Sequence, residues 1–194
     1  MLEENRPKRW YEKNPDVHRA VLALEKFPDE IQTIIARGVM LMAFKWFKAD
    51  DLLSSFKSVG KDKVLGLHKS KNKRRPYDQN PELHKAMSYM YVLTSDEQDF
   101  IARKIISLSR VILEYLKLCH QHQAPPRNQD VETFTQQYVE EEEPEEKARQ
   151  LLRQIADELE RHIIQYKAEK KDGQRLIGEG DQGLVVREED TPPN

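Results

Sequence analysis

The sequence predicts an all-α protein. Internally duplicated helical hairpins form a pseudo-two-fold four-helix core, followed by a long C-terminal amphipathic helix and a disordered tail. Three observations carry this. Residues 9–52 align without a gap on residues 75–118, with 11 identities in 44 positions. Average residue usage gives only about 3 by chance. Apolar residues recur three and four apart through both copies, the spacing of a helix with one buried face. Helix-capping residues stand at matching positions.

Each copy reads as two helices. Asn14 and Asn80 are N-caps followed by Pro15 and Pro81. Proline at the first helical position loses no hydrogen bond and arrives with its φ already set. Asp16 and Glu82 place a carboxylate at the positive end of each helix dipole. The first helix buries Val17, Ala20, Val21, Leu24 and Phe27, and its counterpart Leu83, Ala86, Met87, Met90 and Leu93. The second helices are expected to open with capping boxes, Asp29 with Gln32 and Ser95 with Gln98. Their apolar faces run through Ile31, Ile34, Ile35, Val39, Met42 and Trp46, and through Phe100, Ile101, Ile105, Leu108, Ile112 and Leu116. Short connections imply that each hairpin folds back on itself as an antiparallel pair.

The core therefore spans 9–122: copy one at 9–52, a basic connector at 53–74 and copy two at 75–118. A short helix is expected within 49–60. Residues 123–143 read as an acidic polar linker. An amphipathic helix is expected over 144–172, with the stripe Ala148, Leu151, Leu152, Ile155, Leu159, Ile163 and Tyr166, stopped by Gly173. Residues 173–194 read as a mostly disordered tail. The helix 144–172 is also a candidate homodimer contact.

Net charge is only −2, yet it is polarised. Residues 1–76 hold 17 Lys/Arg against 10 Asp/Glu, and residues 129–194 hold 9 against 18. Such a gradient suits self-association, intramolecular masking or an anionic partner for the basic front. The lone cysteine, Cys119, cannot form an internal disulfide. A reducing, cytoplasmic setting is the expectation. No apolar run approaches the roughly 20 residues of a membrane span, and no signal stretch opens the chain.

The densest charge lies in the loop 61–75, where Lys61, Lys63, Lys69, Lys71, Lys73, Arg74 and Arg75 face Asp62 alone. Such density attracts phosphate, and Tyr11 and Tyr77 beside it are candidates for stacking on bases. A solvated connector is the competing reading. Arg37 and Arg103 interrupt the second helices at equivalent places. They are expected to form structural ion pairs with Asp16 and Glu82, since a buried charge needs a partner; symmetric anion sites are the functional alternative.

His18 and His84 with Asp16 and Glu82 have the wrong spacing for a metal site, and Cys119 with His122 supplies only two ligands. Gly178, Gly180 and Gly183 match G-x-G-x-x-G in letters but lack a strand–turn–helix setting. No catalytic set, metal or cofactor is assigned. The leading expectation is a non-enzymatic adaptor or regulatory protein acting through protein contacts. An RNA- or DNA-binding module using loop 61–75 is the second reading, and a metal-dependent enzyme with a site between the repeats the third.

Overall fold

The computed structural model describes residues 9–47 and 79–179, with side chains described as far as residue 165. The basic loop 61–75, Tyr77, the expected helix within 49–60 and residues 180–194 lie outside the described residues. Within them the protein is all-helical. After a 3-10 turn at Trp10–Glu12 come α1 (Pro15–Leu24), α2 (Asp29–Trp46), α3 (Pro81–Val92), α4 (Ser95–Gln121), α5 (Asn128–Glu140) and α6 (Glu145–Glu179). Among the described residues no helix is long and apolar enough to cross a membrane.

The first helices start as their sequence dictates. Asn14 Oδ1 accepts from the backbone N–H groups of Asp16 and Val17 at 3.0 and 3.2 Å. Asn80 Oδ1 accepts from Glu82 and Leu83, both at 3.1 Å. Each cap thereby satisfies two of the amides that a helix start leaves without partners. All ten apolar residues expected to be buried on α1 and α3 and just beyond them are buried. On the second helices Met42 and Leu108 are wholly enclosed. Burying one such side chain contributes about 1.5–3 kcal/mol.

The second helices start differently from the expectation. Gln32 and Gln98 do not close capping boxes; their side-chain amides donate to the carbonyls of Phe27 and Leu93, five residues back, at 2.8 and 2.9 Å. In α4 the reciprocal contact lies one residue earlier, where the Thr94 N–H donates to Glu97 Oε2 at 2.8 Å.

The hairpins also choose different neighbours from those that chain adjacency suggests. The main packing of α1 is against α4, and that of α3 is against α2, while α2 and α4 touch one another. Two side-chain bonds fix this exchange. Asn14 Nδ2 donates to Asp99 Oδ1 at 2.6 Å, and Asn80 Nδ2 donates to Thr33 Oγ1 at 3.0 Å. Each first helix so begins beside the beginning of the other copy's second helix. Residues 14 and 80, like 33 and 99, differ by the offset of the sequence alignment.

Two further expectations are corrected. The stretch 123–143, read as a linker, contains α5. Val131, Phe134, Tyr138 and Val139 are buried on α5, so a stripe embedded in Gln, Glu and Thr is enough once α2 and α4 offer it a groove. The expected stop at Gly173 is absent, since α6 continues to Glu179. One glycine in a helix costs about 1 kcal/mol, which neighbouring turns tolerate. At 35 residues α6 is roughly 52 Å long. Its first half packs on α4 and α5, burying Ala148 and Ile155, whereas Ile164 is 68% exposed.

Between α4 and α5 the chain turns with both bonds of a Schellman motif. Ala124 N–H donates to the Cys119 carbonyl and Gln123 N–H to that of His120. Gln123 takes the left-handed φ of 53° that this motif requires.

A candidate anion-binding groove

The helix α5 is what separates the surroundings of the two copies. It crosses α2 at Gly38, where a Cβ would stand 2.3 Å from Thr135 Cγ2. Only glycine admits so close an approach. At the equivalent position on α4 stands Lys104, which is buried. Its ammonium donates to the carbonyls of Tyr138 at 3.3 Å and Glu142 at 3.1 Å, and also to that of Glu141. These carbonyls close α5 and the turn after it, where a cation favours the negative dipole end. The ammonium also lies 5.3 Å from the Trp46 ring centre and 5.2 Å from that of Phe100. Desolvation holds its pKa below the usual lysine range, against the pull of Glu145 and Glu142.

The other end of α5 is tied by Tyr115, whose hydroxyl accepts from the Arg127 N–H at 2.7 Å and donates to Asp130 Oδ2 at 2.8 Å. Arg127 continues to Glu158 on α6 at 3.1 Å. Burial pushes the Cys119 thiol up in pKa, away from the reactive thiolate. Among the described residues no group of three His, Cys, Asp or Glu side chains is placed to hold a metal ion.

With α5 seated, α1, α4 and α6 line an open cavity of about 350 Å3. Arg19 reaches it from α1, Arg103 and Arg110 from α4, and Arg149 from α6, with Ile106 and Val111 among its lining. Glu114 and Glu145 also line it, so four arginines and two glutamates surround it. Ser107 Oγ donates to Glu145 Oε1 at 2.8 Å and lies 2.8 Å from the hydroxyl of buried Tyr138. Ser107 has one proton, so the tyrosine supplies the second bond. That chain fixes the wall of the groove to α5. Arg19 pairs with Asp16, and Arg103 Nε donates to the Asp99 carbonyl at 3.3 Å. Among the described residues neither Arg110 nor Arg149 forms an ion pair.

The expected site residues divide. Lys61, Lys63, Lys69, Lys71, Lys73, Arg74, Arg75 and Tyr77 lie outside the described residues. Tyr11 is buried in the 3-10 turn, with Arg9 donating to its hydroxyl at 2.5 Å and the Trp10 ring 5.9 Å away. That position corrects the expectation that it stacks on a base. Arg37 and Arg103 do not pair with Asp16 or Glu82 among the described residues. Both are exposed, because positions 37 and 103 fall on the rim of their helices, where a guanidinium reaches water without a buried partner. Lys104, Arg110 and Arg149 were not legible as functional residues. Only the spacing of 103, 107, 110 and 114, which puts one row on one helix face, hinted at the groove. Comparisons with family models, curated proteins and solved structures return no match.

Proposed function

We propose that this chain is a non-enzymatic adaptor that engages an anionic segment of a protein partner through the groove of Arg19, Arg103, Arg110 and Arg149. The observation that carries the reading is the convergence of these four side chains from three helices on one cavity, three of them without a carboxylate partner among the described residues. A solvated charge stripe lies along one element; this set is assembled by the tertiary fold. The remaining buried polar groups serve to hold helices together, as Lys104 and Tyr115 do at the two ends of α5.

We also propose that the core is a pseudo-two-fold duplication. The reciprocal bonds Asn14–Asp99 and Asn80–Thr33 support it, as do the matching amide bonds of Gln32 and Gln98. The seven cations of loop 61–75 favour a second reading, in which that loop holds nucleic acid.

Fluorescence anisotropy with a labelled acidic peptide and a labelled single-stranded oligonucleotide separates the two. In the adaptor reading, Arg103→Glu, Arg110→Glu and Arg149→Glu together abolish peptide binding, and changing Lys71, Lys73, Arg74 and Arg75 to glutamate leaves it intact. Loss of oligonucleotide binding confined to the loop variant would establish the second reading instead.

A further inference from the structure

Resting on the groove reading, we infer that its ligand is a phosphate monoester carried on a side chain of the partner, held between Arg110 and Arg149. All four cations of the groove are arginines, and none is a lysine. The planar guanidinium fork presents paired N–H donors that match two oxygens of one phosphate, whereas an ammonium acts as a point charge. Arg110 and Arg149 break no ion pair on turning to a ligand, while Arg19 is already neutralised by Asp16.

Glu114 and Glu145 then decide among anions. A phosphodiester strand or a run of acidic residues spreads its charges across the whole groove and meets both carboxylates. A monoester concentrates close to two negative charges and three strong acceptors on one centre. It gains the most from two arginines and approaches the carboxylates least. The cavity of about 350 Å3 has room for roughly ten water molecules, enough for one phosphate and the side chain bearing it. The Ser107–Tyr138–Glu145 chain keeps Glu145 turned to the serine and the wall rigid before any ligand arrives. On copy one the matching row holds Leu41 and Phe44 in place of Ser107 and Arg110, so α2 does not repeat the site.

The test uses the full chain and calorimetric titration with four probes: the tripeptide Gly-phosphoserine-Gly with blocked ends, its unphosphorylated form, inorganic phosphate and a ten-nucleotide oligothymidylate. The phosphotripeptide binds and the unphosphorylated form does not. Arg110→Gln or Arg149→Gln weakens binding by about tenfold or more, the loss expected for a charge-assisted bidentate contact, while Arg37→Gln leaves it unchanged. Affinity falls as pH drops through about 6, where a monoester takes up its second proton and a diester does not. Circular dichroism confirms that each variant is folded; all three positions are exposed. Equal affinity for inorganic phosphate overturns the side-chain-borne ligand. Oligothymidylate binding lost in the Arg110 and Arg149 variants, with none for the tripeptide, overturns the monoester and the protein partner and leaves only an anion-binding groove. No binding of any anion overturns both.

Discussion

The two second helices carry the same arginine at the same place, and beyond it they diverge. After Arg37 on α2 come Gly38, Leu41 and Phe44; after Arg103 on α4 come Lys104, Ser107 and Arg110. The first row is an apolar rim, with Leu41 49% and Phe44 43% exposed and Phe44 set edge-on against Tyr89. In the second, Lys104 is buried against the end of α5, and Ser107 and Arg110 line a cationic groove beside α6. One helix, α5, reads the difference: it needs the bare backbone of Gly38 at its middle and the ammonium of Lys104 at its end. Positions that align in the two helices thus do opposite jobs, one removing a side chain so that α5 approaches and the other supplying a charge that closes its end.

The largest way to break the comparison is Gly38→Ala. In an exposed helix this change gains about 1 kcal/mol. Here the new methyl meets Thr135, whose hydroxyl is already bonded to the Val131 carbonyl at 2.8 Å and fixes its rotamer. Overpacking of that kind costs about 1–3 kcal/mol. Urea unfolding is expected to show that loss, and Thr135→Ser in the same chain, which keeps the hydroxyl and removes Cγ2, to recover most of it. A stabilised Gly38→Ala chain would mean that α5 is not seated on α2.

Lys104→Met should cost about 1–3 kcal/mol in the same measurement, because the carbonyls that close α5 lose their donor in a buried place. Hydrogen exchange should place the damage in the last turn of α5 and leave α1 and α3 untouched. A variant as stable as the parent would reduce Lys104 to a spectator.

Alkaline pH sharpens the comparison by a smaller amount. Burial pushes the phenol pKa values of Tyr89, Tyr115 and Tyr138 above their ordinary value near 10. The folded chain therefore keeps these protons to higher pH than the unfolded chain, and their contribution is full below pH 10 and lost above it. Tyr115→Phe should lower stability by about 1 kcal/mol at neutral pH. That gap should narrow above pH 10, followed by tyrosinate absorbance and circular dichroism together. Lys104 has the opposite sign, since its lowered pKa makes stability rise with pH below the ordinary lysine value. The alkaline fall is accordingly steeper in Lys104→Met.

The smallest effect is expected on copy one's rim. Leu41→Ser with Phe44→Arg imposes the sequence of copy two on exposed positions and should change stability by no more than about 0.5 kcal/mol. It should also fail to create phosphate binding by calorimetry, because among the described residues no counterpart of Arg149 faces α2.

Much of the helical core was legible in the residues themselves. Asn14-Pro15 and Asn80-Pro81 announce helix starts, and the three–four spacing of Val17 to Phe27 and Leu83 to Leu93 names the buried faces. The partner of each face was not, because short loops suggest adjacency, whereas complementarity gave α1 to α4 and α3 to α2. The helix α5 hid behind its polar composition. Lys104 hid because a charge on an apolar helix looks like one that snorkels to water, when it is the carbonyls of another helix that receive it. Of the groove only Arg103 and the spacing along its helix face were legible, since Arg19, Arg110 and Arg149 meet only after three helices have packed.

The most direct measurement is the arginine Nε–Hε spectrum of the isotopically labelled chain during addition of the phosphotripeptide. The account predicts that the signals of Arg110 and Arg149 move together and saturably while that of Arg37 stays in place. Movement at Arg37 alone, or stationary signals at Arg110 and Arg149, would contradict it.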